Sequence, residues 1–138
     1  MNTLLETQLK RAKAAARLLK NMPTCTKNQA LDKIADALIA HSDEILEANK
    51  KDMAHAKEVN MTKAMQDRLL FTHERIVGVS EGVKKVATLP DPIGEVMESW
   101  TRPNGLKISK VRVPIGVFGI IYEARPNVTV DIASLCLK

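Results

Sequence analysis

Pro114-Ile115-Gly116-Val117-Phe118-Gly119-Ile120-Ile121-Tyr122 is a short, nearly continuous apolar run, rich in β-branched residues and opened by a proline. Such a run predicts a strand buried on both faces, as in the middle of a parallel sheet. A polar turn, Glu123-Ala124-Arg125-Pro126-Asn127, leads from it into a helical pattern from about Val128 to Lys138. A doubly buried strand needs neighbours, and parallel neighbours arrive through strand–helix–strand crossovers of about a dozen or more residues. The 138 residues supply one such strand and the start of one such helix. The expectation is an α/β fold whose sheet is completed by chain beyond Lys138.

Immediately upstream, Leu89-Pro90-Asp91-Pro92 cannot continue a helix, and Gly94 follows. Two extended segments are expected next, Glu95–Thr101 and Leu106–Val113, joined by Arg102-Pro103-Asn104-Gly105. Asn-Gly between extended segments is a strong hairpin signal. Leu106 and Ile108 are out of phase with Val111 and Val113, which calls for a bulge or a change of exposed face near Ser109-Lys110.

The first half reads as helices with clear punctuation. Thr3 with Glu6 and Thr26 with Gln29 have capping-box spacing. Leu5, Leu9, Ala12, Ala16 and Leu19 form one stripe, and Leu31, Ile34, Ala35, Leu38 and Ile39 another. Asn21-Met22-Pro23 separates the two helices. Ser42 is placed to cap a third, with Asp43 and Glu44 in its favourable first turn, running to about Glu58. Asn60-Met61-Thr62 breaks the chain before a short helical piece with Leu69 and Leu70. Thr72 then caps a helix bearing Ile76, Val79, Val83 and Val86. The division expected is a helical segment over 1–89, a linker and hairpin over 90–113, and the strand with its helix over 114–138.

Composition excludes several classes. With 45% hydrophobic and 27% charged residues the chain is neither disordered nor low in complexity. No apolar run reaches the ~18 residues of a membrane span, and no signal-peptide core opens the chain. A cytoplasmic location with Cys25 and Cys136 as reduced thiols is the expectation. The net charge of +5 divides into +5 over 1–30, −4 over 31–100 and +4 over 101–138. Lys10, Arg11, Lys13, Arg17 and Lys20 lie opposite the first apolar stripe, with no aromatic among them for base stacking. They read as a solvated helix face. His41, His55 and His73 lack metal-ligand spacing, so no metal is expected.

From Leu89 onward the sequence closely resembles the gamma-glutamyl phosphate reductase family, within the aldehyde dehydrogenase superfamily. Leu89-Pro90-Asp91-Pro92-Ile93-Gly94-Glu95-Val96, Trp100–Leu106 and, most specifically, Val111–Asp131 carry the resemblance. Lys27–Leu31, Ile45–Asn49 and Asp67-Arg68-Leu69 extend it through the helical half. The resemblance implies an aldehyde-dehydrogenase-like, Rossmann-type parallel sheet that is incomplete in these residues. It also implies a cytoplasmic enzyme of proline biosynthesis that uses NADPH to reduce L-glutamyl 5-phosphate to L-glutamate 5-semialdehyde and phosphate. In the family a cysteine thiolate of a second domain displaces the phosphate, and hydride reduces the thioester. A homo-oligomer and a glutamate kinase partner are implied as well. The catalytic cysteine has no counterpart here, so these residues alone are expected to be inactive.

The resemblance implies that the Asn127 amide donates to the oxygen of the tetrahedral intermediate. Read without it, Asn127 is a helix cap after Pro126. Tyr122, Glu123, Ala124 and Arg125 stand at the C-terminal end of the expected strand, where open α/β sheets bind ligands. The resemblance brings the nicotinamide half of the cofactor and the acyl phosphate to this turn. Arg125 suits a phosphate or carboxylate, or equally a surface salt bridge. Gly116 and Gly119 are not the dinucleotide fingerprint and read as close-packing positions. Cys136, among Ile132, Ala133, Leu135 and Leu137, reads as an inert core cysteine under the sheet. A second class of function is a helical interaction module whose basic first helix binds an acidic partner or nucleic acid. Such a module has no use for the strand at 115–122.

Overall fold

A computed structural model describes residues 3–138, with the side chain of Thr3 outside the description, so the Thr3–Glu6 box lies beyond the described residues. Six helices and one hairpin follow in order: α1 Thr3–Leu19, α2 Thr24–Ala40, α3 Ser42–Glu58, α4 Lys63–Leu69, α5 His73–Thr88, β1 Val96–Thr101, β2 Lys107–Val111 and α6 Pro126–Leu137. They group into two compact units. One holds the described residues up to Thr24 with Pro90–Gly119, the other Cys25–Leu89 with Ile120–Lys138.

In the first unit, α1 turns its basic face to solvent, where Lys10 pairs with Glu6 at 2.9 Å. Its apolar stripe is less covered than expected, for Leu5 and Leu9 are exposed. The hairpin is antiparallel, with Trp100 opposite Ile108 and Ser99 opposite Ser109. Its connection is a three-residue loop: Gly105 N–H donates to Arg102 O, and Arg102 N–H donates to Leu106 O, both at 2.9 Å. Gly105 closes it at φ +85, a conformation a Cβ would strain. The bulge sits on the facing strand from the one expected. Val96 pairs Val111 and Glu98 pairs Lys110, which leaves Met97 as the extra residue opposite the Lys110–Val111 step. Extra length on either strand shifts the phase equally, so the pattern of β2 alone could not choose between them.

In the second unit, Leu31 and Ala35 of α2 meet Val83 and Ala87 of α5 in a small core. Val130 and Leu137 of α6 pack against it from the side. Ser80 belongs to the buried stripe of α5 and donates to Ala35 O at 2.9 Å, which explains a hydroxyl in an otherwise apolar contact. Lys138 Nζ donates to Ala87 O at 2.9 Å and Asn28 Oδ1 at 2.6 Å, and Lys27 Nζ to Lys138 O at 3.2 Å, pinning the end of α6. Thr62 and Thr72 cap α4 and α5 as expected, accepting from Met65 N and Arg75 N. Asn60 takes a left-handed φ of +53 at the break after α3.

Three expectations are corrected, and the apolar run stands without the neighbours that it calls for. α2 begins at Thr24, directly after Pro23, so Thr26 is already helical and cannot serve as the cap. Ser42 is likewise helical and buried; because α2 runs on to Ala40, the cap position falls to His41, whose Nδ1 lies 3.1 Å from Glu44 Oε1. Residues 114–122 form no ladder, and Ile115 and Ile121 are 84% and 102% exposed. A strand exists only with a hydrogen-bonded neighbour, and among the described residues none pairs with this segment, so it is uncovered, as expected of a strand whose sheet is incomplete. Cys136 is exposed for the same reason. Val130 and Leu137 hold the inner face of α6 with buried Ser134, and Cys136, two residues past Ser134, points away.

The uncovered run has a measurable consequence. Val117, Phe118, Ile120 and Tyr122 are each at least 40% exposed as well, and large exposed apolar patches mark interaction surfaces or aggregation liabilities. The chain is expected to self-associate or to bind a hydrophobic dye. A dye-negative, strictly monomeric species in light scattering would contradict the exposure described.

Candidate functional site

The turn after the apolar run is built by three backbone choices. Ala124 adopts φ +50, a left-handed conformation rare for a residue with a Cβ. Arg125 is the N-cap of α6 at φ −141 and ψ 90, and makes no side-chain capping bond. Pro126 takes the first helical position, where its missing N–H costs nothing. The helix therefore starts two residues ahead of the expected Val128. Asn127 consequently lies inside the first turn, which removes its reading as the cap. Tyr122 bonds Thr129 through their hydroxyls and so ties the turn to α6. Glu123 and Arg125 are exposed, Ala124 and Asn127 half-buried.

The Asn127 amide is oriented by one contact. Its Nδ2 donates to Asp131 Oδ2 at 2.9 Å, one helical turn on. A carboxylate only accepts, so the amide's NH₂ end must face it. That group carries two protons, and Asp131 takes one.

Asn127 and Arg125 line an open cleft of about 450 Å³ whose other walls come from α4, α5 and the loop between them. Arg68, Arg75, Gly78 and Gly82 lie on it. Arg75 is committed to the fold: it donates to Asp67 O and Leu70 O at 2.6 Å each and pairs with Asp67 Oδ1 at 3.1 Å. Asn49 holds the same loop from the far side. Its Nδ2 donates to Leu69 O at 2.9 Å, and its Oδ1 accepts from Phe71 N at 2.7 Å, with the residue 5% exposed.

The structure thus brings Arg125 and Asn127 to one cleft, and Tyr122, Glu123 and Ala124 are not among the residues that line it. Arg68, Asn49 and the α5 glycines escaped the sequence reading. Gly78 and Gly82, one turn apart inside a helix, were the available signal, because glycine there is unfavourable without a packing or binding reason. A Cβ at either would meet nothing within 4 Å. Gly82→Ala should stabilise the chain by about 0.5–1 kcal/mol through the lower entropy of the unfolded state. Urea denaturation measures this, and a destabilised variant would show that the cleft wall is closer than described.

Among the described residues no three His, Cys, Asp or Glu are grouped to hold a metal, both cysteines are free thiols, and no helix is long and apolar enough to cross a membrane.

The described residues combine six helices with a two-stranded antiparallel sheet, and the second unit carries an arginine-lined cleft. Comparison makes this particular. The chain is 56% identical over 127 residues to the gamma-glutamyl phosphate reductase of Clostridium novyi (strain NT), covering 92% of this chain and 30% of that protein. It is 54% identical over 138 residues to that of Geobacillus sp. (strain WCH70), covering 100% and 33%. The crystal structure of gamma-glutamyl phosphate reductase from Thermotoga maritima matches with a TM-score of 0.94 at 44% identity, over 96% of this chain and 32% of that one. No family model matches. The resemblance to gamma-glutamyl phosphate reductases therefore holds along essentially the whole chain, which spans about a third of the length of the curated relatives it matches.

Proposed function

We propose that these residues form the N-terminal part of a cytoplasmic reductase of proline biosynthesis, which converts L-glutamyl 5-phosphate and NADPH to L-glutamate 5-semialdehyde, phosphate and NADP. The observation that carries the reading is the Asn127 amide, oriented by Asp131 on the wall of a cleft, in a chain similar throughout to gamma-glutamyl phosphate reductases.

In this mechanism the second N–H of Asn127 stabilises the oxyanion that develops when a thiolate attacks the acyl phosphate carbonyl, and again when the thioester is reduced. Asp131 holds the amide so that no reorganisation is needed as charge appears. Arg125, exposed at the N-cap beside it, is suited to the leaving phosphate. The nucleophilic thiolate belongs to a further domain; Cys25 and Cys136 are exposed free thiols, and the one hydrogen-bond partner shown for Cys25 is the Thr26 hydroxyl, which does not activate a thiol.

The residues fit one end of a nicotinamide dinucleotide. Ala124 adds no bulk at a left-handed turn, and the exposed Tyr122 ring offers an apolar surface beside it. Tyr122, Glu123, Ala124 and Arg125 would hold the nicotinamide half; Gly116 and Gly119 lie in the extended run before the turn and make no phosphate-binding loop. When bound, NADPH supplies hydride. Completion of a Rossmann-type parallel sheet on residues 114–122, a homo-oligomer and a glutamate kinase partner belong to the same proposal.

The test is the reverse reaction in the polypeptide that contains these residues. L-Glutamate 5-semialdehyde should reduce NADP only when inorganic phosphate is present. Reduction without phosphate, or none at all, would overturn the assignment. The interaction-module alternative is not favoured, because a module of helices has no use for the apolar run at 115–122.

A further inference from the structure

Three guanidinium groups border the cleft, and they are not equivalent. Arg75 is spent on two backbone carbonyls and Asp67. The guanidinium groups of Arg68 and Arg125 make no hydrogen bond or ion pair among the described residues, although both residues line the same cavity. They come from different elements, α4 and the N-cap of α6, which the fold brings together across 57 positions of sequence. Surface arginines commonly pair with a neighbouring carboxylate. Here the two nearby carboxylates are already engaged, Asp67 by Arg75 and Asp131 by the Asn127 amide.

Two uncommitted guanidiniums facing one cavity suit a planar or tetrahedral oxyanion, which a guanidinium binds through paired N–H donors. The α5 wall adds room for it, since Gly78 and Gly82 present no side chain. The remaining lone pairs of Asp131 give the cleft an acceptor as well. Of the two carboxylates that line the cleft, Asp67 is neutralised by Arg75, and Asp131 keeps lone pairs that suit the ammonium group of an anionic α-amino acid.

We infer that Arg68 and Arg125 together bind an oxyanionic group of the substrate, a carboxylate or a phosphate, in the cleft between α4, α5 and the start of α6. This rests on the reaction proposed above and adds Arg68 as a binding residue for it. Arg75 is a positioning residue, because it fixes the loop that follows Arg68.

Calorimetric titration of the 138-residue chain at low ionic strength, with inorganic phosphate and with L-glutamate as separate probes, tests the inference. At least one probe should bind at a single site, with Kd raised about tenfold to a hundredfold in Arg68→Ala and in Arg125→Ala. Arg68→Lys should recover part of the loss, because charge is kept and the paired donors are not. Binding of phosphate alone assigns the phosphoryl group, of L-glutamate alone the carboxylate, and of both the shared chemistry. Failure of both probes, or binding unchanged in Arg68→Ala, would overturn it. So would a clearly lower melting temperature in Arg68→Ala, since the guanidinium would then be committed to the fold. Anion binding in a protein without phosphate-dependent reduction would sink the reaction and leave the cleft standing. Reduction with an unchanged KM in Arg68→Ala would do the reverse.

Discussion

Asn127→Ala should lower turnover by about 10²–10³-fold with NADPH affinity within about twofold of the parent, which is the signature of a lost oxyanion donor. The side chain reaches only Asp131 within the described residues, so its removal costs the fold little. The effect therefore separates catalysis from stability. Asp131→Asn is the informative companion. An amide at 131 can donate as well as accept, so the Asn127 group is free to turn its oxygen toward it. Turnover should then fall by less than in Asn127→Ala, again without loss of cofactor binding. Steady-state kinetics with NADPH titrated by fluorescence measures both quantities. A normal turnover in Asn127→Ala would remove Asn127 from the mechanism.

Asn49→Ala should destabilise the Cys25–Leu89 unit by about 2–4 kcal/mol, the largest stability effect expected of a single polar side chain here. Asn49 is 5% exposed and satisfies both a carbonyl and an N–H of the α4–α5 loop. Deleting it leaves Leu69 O and Phe71 N without partners at a site where water has poor access. Asn49→Leu fills the space but leaves the same two groups orphaned, so it should rescue little. Chemical denaturation followed by circular dichroism gives the number. A loss below about 0.5 kcal/mol would mean that the loop is satisfied by solvent. Because the loop carries Arg68 and the Arg75 clamp, the same variant should also weaken any anion bound in the cleft.

Much of the fold is legible residue by residue. Thr62 and Thr72 cap where threonine before a helical stripe should, and the double proline after Leu89 ends α5 within one residue of expectation. These are local matters of capping chemistry and fixed φ. Thr26 and Ser42 are good caps by residue type, but the helix boundaries fall elsewhere: α2 starts directly after Pro23, with Thr26 exposed inside it, and Ser42 is buried inside α3. The bulge at Met97 was visible only as a phase error on the opposite strand.

The candidate site divides in the same way. Asn127 and Arg125 could be singled out because they follow an apolar run at a turn, a sequence-local signal. Arg68 is one of many exposed basic residues until the fold sets α4, α5 and the start of α6 around one cleft.

The apolar run with which the reading begins shows the limit most directly. Its composition determines that residues 114–122 are extended and seek burial, since β-branched residues without polar relief do not make a stable exposed surface. Whether they become a strand is a property of a pair of segments, and here no ladder forms. The sequence by itself determined the helices, the hairpin and the turn at Asn127, all set by interactions within a few residues. Only the tertiary structure decided which face of α6 is covered, which arginine is spent on the loop and which two are left to the cleft. The covered face of α6 and the meeting of Arg68 with Arg125 depend on groups distant in sequence, and the Arg75 clamp on a loop geometry that residue type alone does not reveal.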